Sequence, residues 1–262
     1  MRIVFSKYQG TGNDFILIDN RVAGWKPGTQ QVARLCDRHF GIGADGLMLL
    51  GEGSGVDFSM VYFNSDGRES TMCGNGGRCM AVFARRLGLT GETTRFSAAD
   101  GVHEALFPAG KDAPVVRLGM QDSRIGGRWD DGMFIDTGSP HFVVFDDEVR
   151  AVDVAGRGRT LRSDPRFGPG GTNVDFVERV NDGLFVRTYE RGVENETLSC
   201  GTGVTASALA AALVHGPVYG PVKVTTPGGV LEVHYSMAGN EFRDIWLEGP
   251  ALLVFEGSIE LI

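Results

Sequence analysis

The sequence is poor in cysteine, and its few cysteines follow no ligand pattern. Four occur in 262 residues, at positions 36, 73, 79 and 200. None stands in a C-x2-C pair, so zinc-site spacing is absent. Four in a chain of this length do not make a disulfide framework. Such thiols are either packed or reactive. Long apolar runs are lacking too. The longest uncharged one, from Val204 to Val214, falls short of the roughly 20 residues that span a bilayer. Met1 to Lys7 holds no apolar stretch of signal-peptide type. We therefore expect a cytoplasmic protein without a membrane partner. Basic charge is also scarce, with 25 Lys plus Arg against 33 Asp plus Glu and a formal net charge of −8. This speaks against a nucleic-acid partner, which needs a basic surface. A small zwitterionic or anionic substrate stays open, because a local field can oppose the net charge.

Glycine is abundant instead, 39 residues in all, about twice the usual ~7%. It clusters in short turns and at helix starts. Between the turns lie short β-branched or aromatic runs that read as strands: 15–18, 47–50, 58–63, 142–145, 184–189, 222–225 and 230–233. Helical spacing appears over 30–39, 75–87 and 203–214. Arg85 and Arg86 beside Gly88 give the second of these a stop signal. The third is apolar all round, so it must be enclosed. The chain also repeats itself. Cys200 follows Cys73 by 127 residues (200 − 73 = 127), and the same offset carries Gly74 onto Gly201 and Gly76 onto Gly203. It likewise carries Phe15 onto Phe142, Phe58 onto Phe185 and Tyr62 onto Tyr189. The fold expected is α/β (α+β): two pseudo-symmetric halves, each a curved, mostly antiparallel sheet around a central helix, with the active site between them. The halves are expected at 1–118, completed by a strand within 250–262, and at 119–249.

The repeat centres on two loops, Cys73-Gly74-Asn75-Gly76 and Cys200-Gly201-Thr202-Gly203. Each places a thiol just before a helix. A helix start offers backbone N–H donors and about half a positive charge, which suits a carboxylate. The same field is expected to lower a nearby thiol pKa. Two such loops would hold one carboxylate with a thiol on either side of its α-carbon. One thiolate could remove the α-proton while the other thiol protonates the opposite face. Donors aimed at the carboxylate would have to stabilise the carbanion, and water would have to be excluded. Cys36 and Cys79 sit inside helical patterns and read as packed hydrophobes.

Several further segments now carry a resemblance. They are residues 7–15 (KYQGTGNDF), 38–46 (RHFGIGADG), 63–67 (FNSDG), 138–141 (GSPH), 171–174 (GTNV) and 189–192 (YERG), together with both cysteine loops. Over essentially its whole length the chain resembles the diaminopimelate epimerases. The resemblance implies a cofactor-free and metal-free isomerase of two α/β halves, acting on a small molecule, with a homodimer left open. It implies interconversion of LL- and meso-diaminopimelate, the meso form feeding lysine and cell-wall synthesis. It makes Cys73 and Cys200 the acid/base pair. Backbone N–H groups of Gly74, Asn75, Gly201 and Thr202 would hold the reacting carboxylate, and Asn13 would lie at that end. Asn64, Asn173 and Arg191 would hold the distal head, and Glu190 and His141 would tune the thiols. Two positions depart from the pattern: Ser139 stands where many members carry Asn, and Gly46 where some carry Gln.

Other readings compete. A proline-racemase-like enzyme pairs cysteines in similar loops but typically has His where Asn75 stands. A related isomerase branch lacks the thiols. A non-catalytic anion binder would explain the glycines but not the cysteines, and neither loop fits a nucleotide P-loop. A thiol–disulfide oxidoreductase would be expected to show C-x-x-C.

Overall fold

The computed structural model describes residues 1–108, 114–216, 220–239 and 241–261. In chain order its elements are β1 (Arg2–Gly10), β2 (Asn13–Asp19), α1 (Thr29–Cys36), β3 (Gly46–Glu52), β4 (Phe58–Asn64) and β5 (Glu69–Ser70). There follow α2 (Gly74–Arg86), β6 (Thr93–Ala98), β7 (Gly101–Leu106), β8 (Val115–Gly119), β9 (Ser123–Trp129), β10 (Gly132–Asp136) and β11 (Pro140–Phe145). The remainder is α3 (Val154–Arg162), β12 (Asn173–Val180), β13 (Gly183–Glu190), β14 (Asn195–Thr197), α4 (Gly201–His215), β15 (Val222–Thr226), β16 (Gly229–Ala238), β17 (Glu241–Pro250) and β18 (Leu252–Glu260). The chain divides into two compact units, Met1–Leu118 with Gly249–Ile262, and Gly119–Glu248.

In the first unit β1 pairs antiparallel with β2 on one side and with β18 on the other, Arg2 opposite Glu260. The sheet continues through β2–β3, parallel, β3–β4, antiparallel, and β4–β6, parallel, then runs antiparallel through β7 to β8. Helix α2 packs on β1, β2 and β3. The second unit repeats the scheme. Strands β9, β10 and β11 are antiparallel, β11–β12 is parallel, β12–β13 antiparallel and β13–β15 parallel. Strands β15, β16 and β17 follow antiparallel, and β17 returns to β9. Strand β9 thus holds the place that β18 holds in the first unit. Helix α4 packs against β10, β11, β12, β13, β15 and β16. Its alanines, Val204 and Leu209 share one core with Val143, Val177, Val186, Val224, Leu231 and Val233. That is why it carries no polar face.

The strand pairing corrects the repeat at two strands. Phe15 pairs with Gly46, and His141 pairs with Asn173. Strand β2 therefore maps onto β11 at an offset of 126 (141 − 15 = 126), while β3 maps onto β12 at 127. Strand β4 is shifted like β2, because Gly46 lies opposite Asn64 and Val174 opposite Tyr189. Phe15 and Phe142 are thus not equivalent, nor are Tyr62 and Tyr189 or Phe58 and Phe185. A one-residue step turns a strand side chain to the other face. Phe15 and Met48 lie under Gly76 of α2, and the residues under Gly203 of α4 are His141 and Asp175. Phe142 and Tyr189 instead join the outer cluster with Val149 and Val154, next to α3.

Helix α1 stops at Cys36, short of the expected His39. The Asp37 carboxylate accepts the backbone N–H groups of His39 and Phe40 at 2.8 and 2.7 Å. An aspartate that captures nearby amides offers the chain a turn in place of another helical turn. The following loop folds back, and Ile42 and Gly43 donate to the Leu35 carbonyl. Helix α3 did not register in the sequence. Gly156 and Gly158 lower its propensity, yet a Cβ on Gly158 would collide with Tyr189.

Candidate active site

Each cysteine of the repeat caps a core helix. Cys73 is the extended residue before α2 (φ −102, ψ 129), and Cys200 the extended residue before α4 (φ −115, ψ 113). Helix α2 has no side-chain cap, and in α4 the Gly203 N–H turns to the Cys200 sulfur, so the leading N–H groups of each first turn keep donor capacity for an anion.

In the first unit the Cys73 thiol donates to Asn13 Oδ1 at 3.6 Å, and Asn75 Nδ2 donates to the same oxygen at 3.4 Å. Asn13 is fixed from behind, its Nδ2 donating to Asp45 Oδ2 at 2.7 Å. Arg38 bridges Asp45 and Asp14, and buried Lys7 pairs with Asp14 at 2.8 Å. Burial opposes ionisation of Asp14, but the hydrogen bonds of Arg38 and Lys7 outweigh it and hold its pKa at about 2. Arg78 lies beneath the loop, fully buried. It donates to Asn75 Oδ1 at 3.0 Å and to the Gly74 carbonyl at 3.4 Å. Asn64 ends β4 in a turn, its N–H bonded to the Arg68 carbonyl. Opposite it, Gly46 has no room for a side chain, since a Cβ would lie 2.5 Å from the Tyr62 ring. A glutamine there would need another core.

In the second unit the Cys200 thiol lies 3.4 Å from the Thr202 hydroxyl, which lies 2.8 Å from His141 Nε2. His141 Nδ1 lies 2.7 Å from Asp175 Oδ2, and Thr188 donates to Asp175 Oδ1 at 2.7 Å. Thr137 holds the Thr202 carbonyl at 2.9 Å. Asn173 Nδ2 donates to Ser139 Oγ and to the Pro140 carbonyl, and its Oδ1 accepts the Arg191 N–H at 2.8 Å. Its amide therefore organises the Ser139 and Arg191 loops. Glu190 ends β13 and turns its charge on Cys200.

The thiol electrostatics differ from the sequence expectation. Burial pushes the Cys200 thiol well above its ordinary range, and the charges of Glu190 and Asp175 push the same way. Bonds from Thr202 and from the Gly203 N–H pull it down by less. The field of the helix start does not win in so closed a place. Burial pushes Cys36 and Cys79 up to about 12, which suits packed thiols.

The sequence reading overlooked Arg78, Asp45, Asp175 and Thr188. Asp175 had a signal: a carboxylate at an inward position of an apolar strand. Among the described residues, one group could hold a metal ion, Glu232, His234 and Glu248. There His234 Nε2 meets Glu248 at 3.1 Å, which an ordinary hydrogen bond explains. No helix among the described residues is long and apolar enough to cross a membrane.

Solved structures share this fold. The Bacillus anthracis phenazine biosynthesis protein of the PhzF family superposes with a TM-score of 0.78 over 100% of both chains, at 15% identity. A probable proline racemase from Agrobacterium radiobacter gives 0.70 at 16% identity, covering 99% of this chain and 93% of that one. The duplicated helix-in-sheet unit is thus the architecture of the racemase and PhzF class. Within it the sequence is more specific. The pattern of the family described as diaminopimelate epimerase matches residues 5–116 and 133–254. The diaminopimelate epimerase of Flavobacterium psychrophilum is 46% identical over 255 residues, covering 97% of this chain and 98% of that protein. The chain belongs to the diaminopimelate epimerase family.

Proposed function

We propose that the protein epimerises LL-diaminopimelate to meso-diaminopimelate with no added cofactor, using Cys73 and Cys200 as its acid/base pair. One observation carries the reading: a thiol caps the core helix at the equivalent place in both units. Inversion at one carbon needs one group to remove a proton and a second to return one to the other face. Family membership supplies the substrate, since the relatives are named for it.

The roles follow from chemistry. Backbone N–H groups of Gly74, Asn75, Gly201 and Thr202 receive the reacting carboxylate and stabilise charge that develops on it. Asn13 orients Cys73. Arg191 presents a planar fork suited to the distal carboxylate, with Asn64 and Asn173 beside that task. Glu190 and His141 set the protonation of Cys200.

The test is incubation of reduced protein with LL-diaminopimelate in deuterium oxide, beside Cys73→Ser and Cys200→Ser variants. Deuterium entry at the α-carbon with formation of the meso isomer, lost in both variants, is expected. Exchange with proline or hydroxyproline instead would move the enzyme to the proline-racemase-like reading. No exchange with any amino acid would leave an anion-binding protein.

A further inference from the structure

Asp175 is fully buried, and the reaction proposed above gives it no task. A buried carboxylate is costly unless each oxygen is bonded. Here one oxygen takes the Thr188 hydroxyl and the other faces His141 Nδ1, both at 2.7 Å. A Cβ on Gly203 would overlap Asp175 Oδ1 and lie 3.1 Å from His141 Cε1, so the helix start is pared back to admit the pair. The first unit has Phe15 and Met48 in the equivalent places, under Gly76. The polar pair is therefore no requirement of the fold.

We propose that Asp175 is a positioning residue for Cys200: it fixes the ring and tautomer of His141, so that Nε2 exchanges a proton with the Cys200 thiol through the Thr202 hydroxyl. The proposal rests on the reading of Cys200 as an acid/base thiol. With Nδ1–H donated to Asp175, Nε2 of the neutral ring is the acceptor, reached by the Thr202 hydroxyl at 2.8 Å and, at a longer 3.3 Å, by Asn173 Nδ2. Thr202 can donate to it while accepting the thiol S–H, over 2.8 and 3.4 Å. In the transfer the S–H bond breaks and a new O–H bond forms on Thr202. The original Thr202 O–H breaks, and an N–H forms at Nε2. The products are a thiolate and an imidazolium, the latter paired with Asp175, and the reverse step restores the thiol. Total charge does not change. The Cys73 thiol donates to Asn13, an amide that takes up no proton.

The proposal can be separated from plain charge repulsion by sign. As bare charges, Asp175 and Glu190 both disfavour the Cys200 thiolate. Acting through His141, Asp175 favours it. The experiment follows iodoacetamide alkylation of Cys200 by peptide mass spectrometry, in Cys73→Ser protein, from about pH 6 to 9. Asp175→Asn should slow alkylation near pH 7 by at least about tenfold, a part of the roughly 10²–10⁴-fold that a positioned proton acceptor supplies. Asp175→Glu should restore much of the rate. Thr202→Val, which cuts the link and leaves the buried pair intact, should slow alkylation similarly and keeps the test alive if Asp175→Asn does not fold. Faster alkylation in Asp175→Asn, or an unchanged rate in folded Thr202→Val, would overturn the proposal. The readout needs no turnover, so a protein inactive on diaminopimelate would refute the proposed function and still test this one.

Discussion

Alanine at the two equivalent helix-start glycines should have unequal effects. At Gly203 the new Cβ overlaps Asp175 Oδ1, and Asp175 cannot yield, being held by His141 and Thr188. Displacing one member of a buried charged network costs about 3–5 kcal/mol. Alanine returns about 1 kcal/mol over glycine in a helix, leaving a net loss of about 2–4 kcal/mol. At Gly76 the obstacle is the end of Met48, with Phe15 at 3.5 Å. A methionine has three rotatable bonds and re-packs readily. Overpacking of about 1–3 kcal/mol, less the same ~1 kcal/mol, leaves about 0–2 kcal/mol. The difference, roughly 2 kcal/mol, corresponds to about 4–8 °C in midpoint for a protein of this size. Thermal unfolding followed by circular dichroism in reductant reads it directly. Equal losses, or a larger loss at Gly76, would refute the claim that the second core is pinned by its polar pair and the first is not.

Three other outcomes are expected. Cys36 and Cys79 rise from an ordinary 9.0 to about 12 on folding. Their stabilisation is therefore complete below pH 9 and lost as pH climbs from 9 towards 12, by up to about 1.4 kcal/mol per pH unit for each thiol. Urea unfolding at alkaline pH should show a flatter decline in Cys79→Ala, and an unchanged slope would contradict burial as the cause. Arg78→Lys cannot reproduce the forked contact to Gly74 and Asn75. It should lower the rate of deuterium exchange about 100-fold through misplacement of the Cys73 loop, whereas a near-normal rate would make Arg78 mere filling. Gly46→Gln must displace the Tyr62 ring and should destabilise by about 1–3 kcal/mol, measured as a fall in urea midpoint at constant slope.

Much of the architecture was legible because the signals were local. The three helical patterns, the strand runs and the paired cysteine loops each rest on spacing within a dozen residues, and all reappear as elements. What misled was coincidence at long range. Phe15 with Phe142 and Tyr62 with Tyr189 share an offset but face opposite sides of their sheets. A repeat read from sequence cannot see a one-residue slip that only the pairing of neighbouring strands defines. The polar supports of the site were hidden for a related reason. Arg78 looks like a surface residue of a helix, and Asp175 a defect in a strand. Their meaning lies in partners distant in sequence, such as Thr11 for Arg78 and His141 for Asp175.

The return of β18 to β1 bears on how the chain is made. The second unit is one continuous stretch, and its sheet closes on itself through β17 and β9. It can mature as soon as its last strand leaves the ribosome. The first unit, begun earlier, waits for β18, because Arg2 meets Glu260 across 258 residues (260 − 2 = 258). Through that interval β1 presents an open edge, with Val4 among its exposed apolar side chains. Open edges invite pairing with other chains, and contacts of such separation form slowly. The unit begun earlier is thus the unit completed later, and in that interval its unpaired strand edge is the one most open to association with other chains.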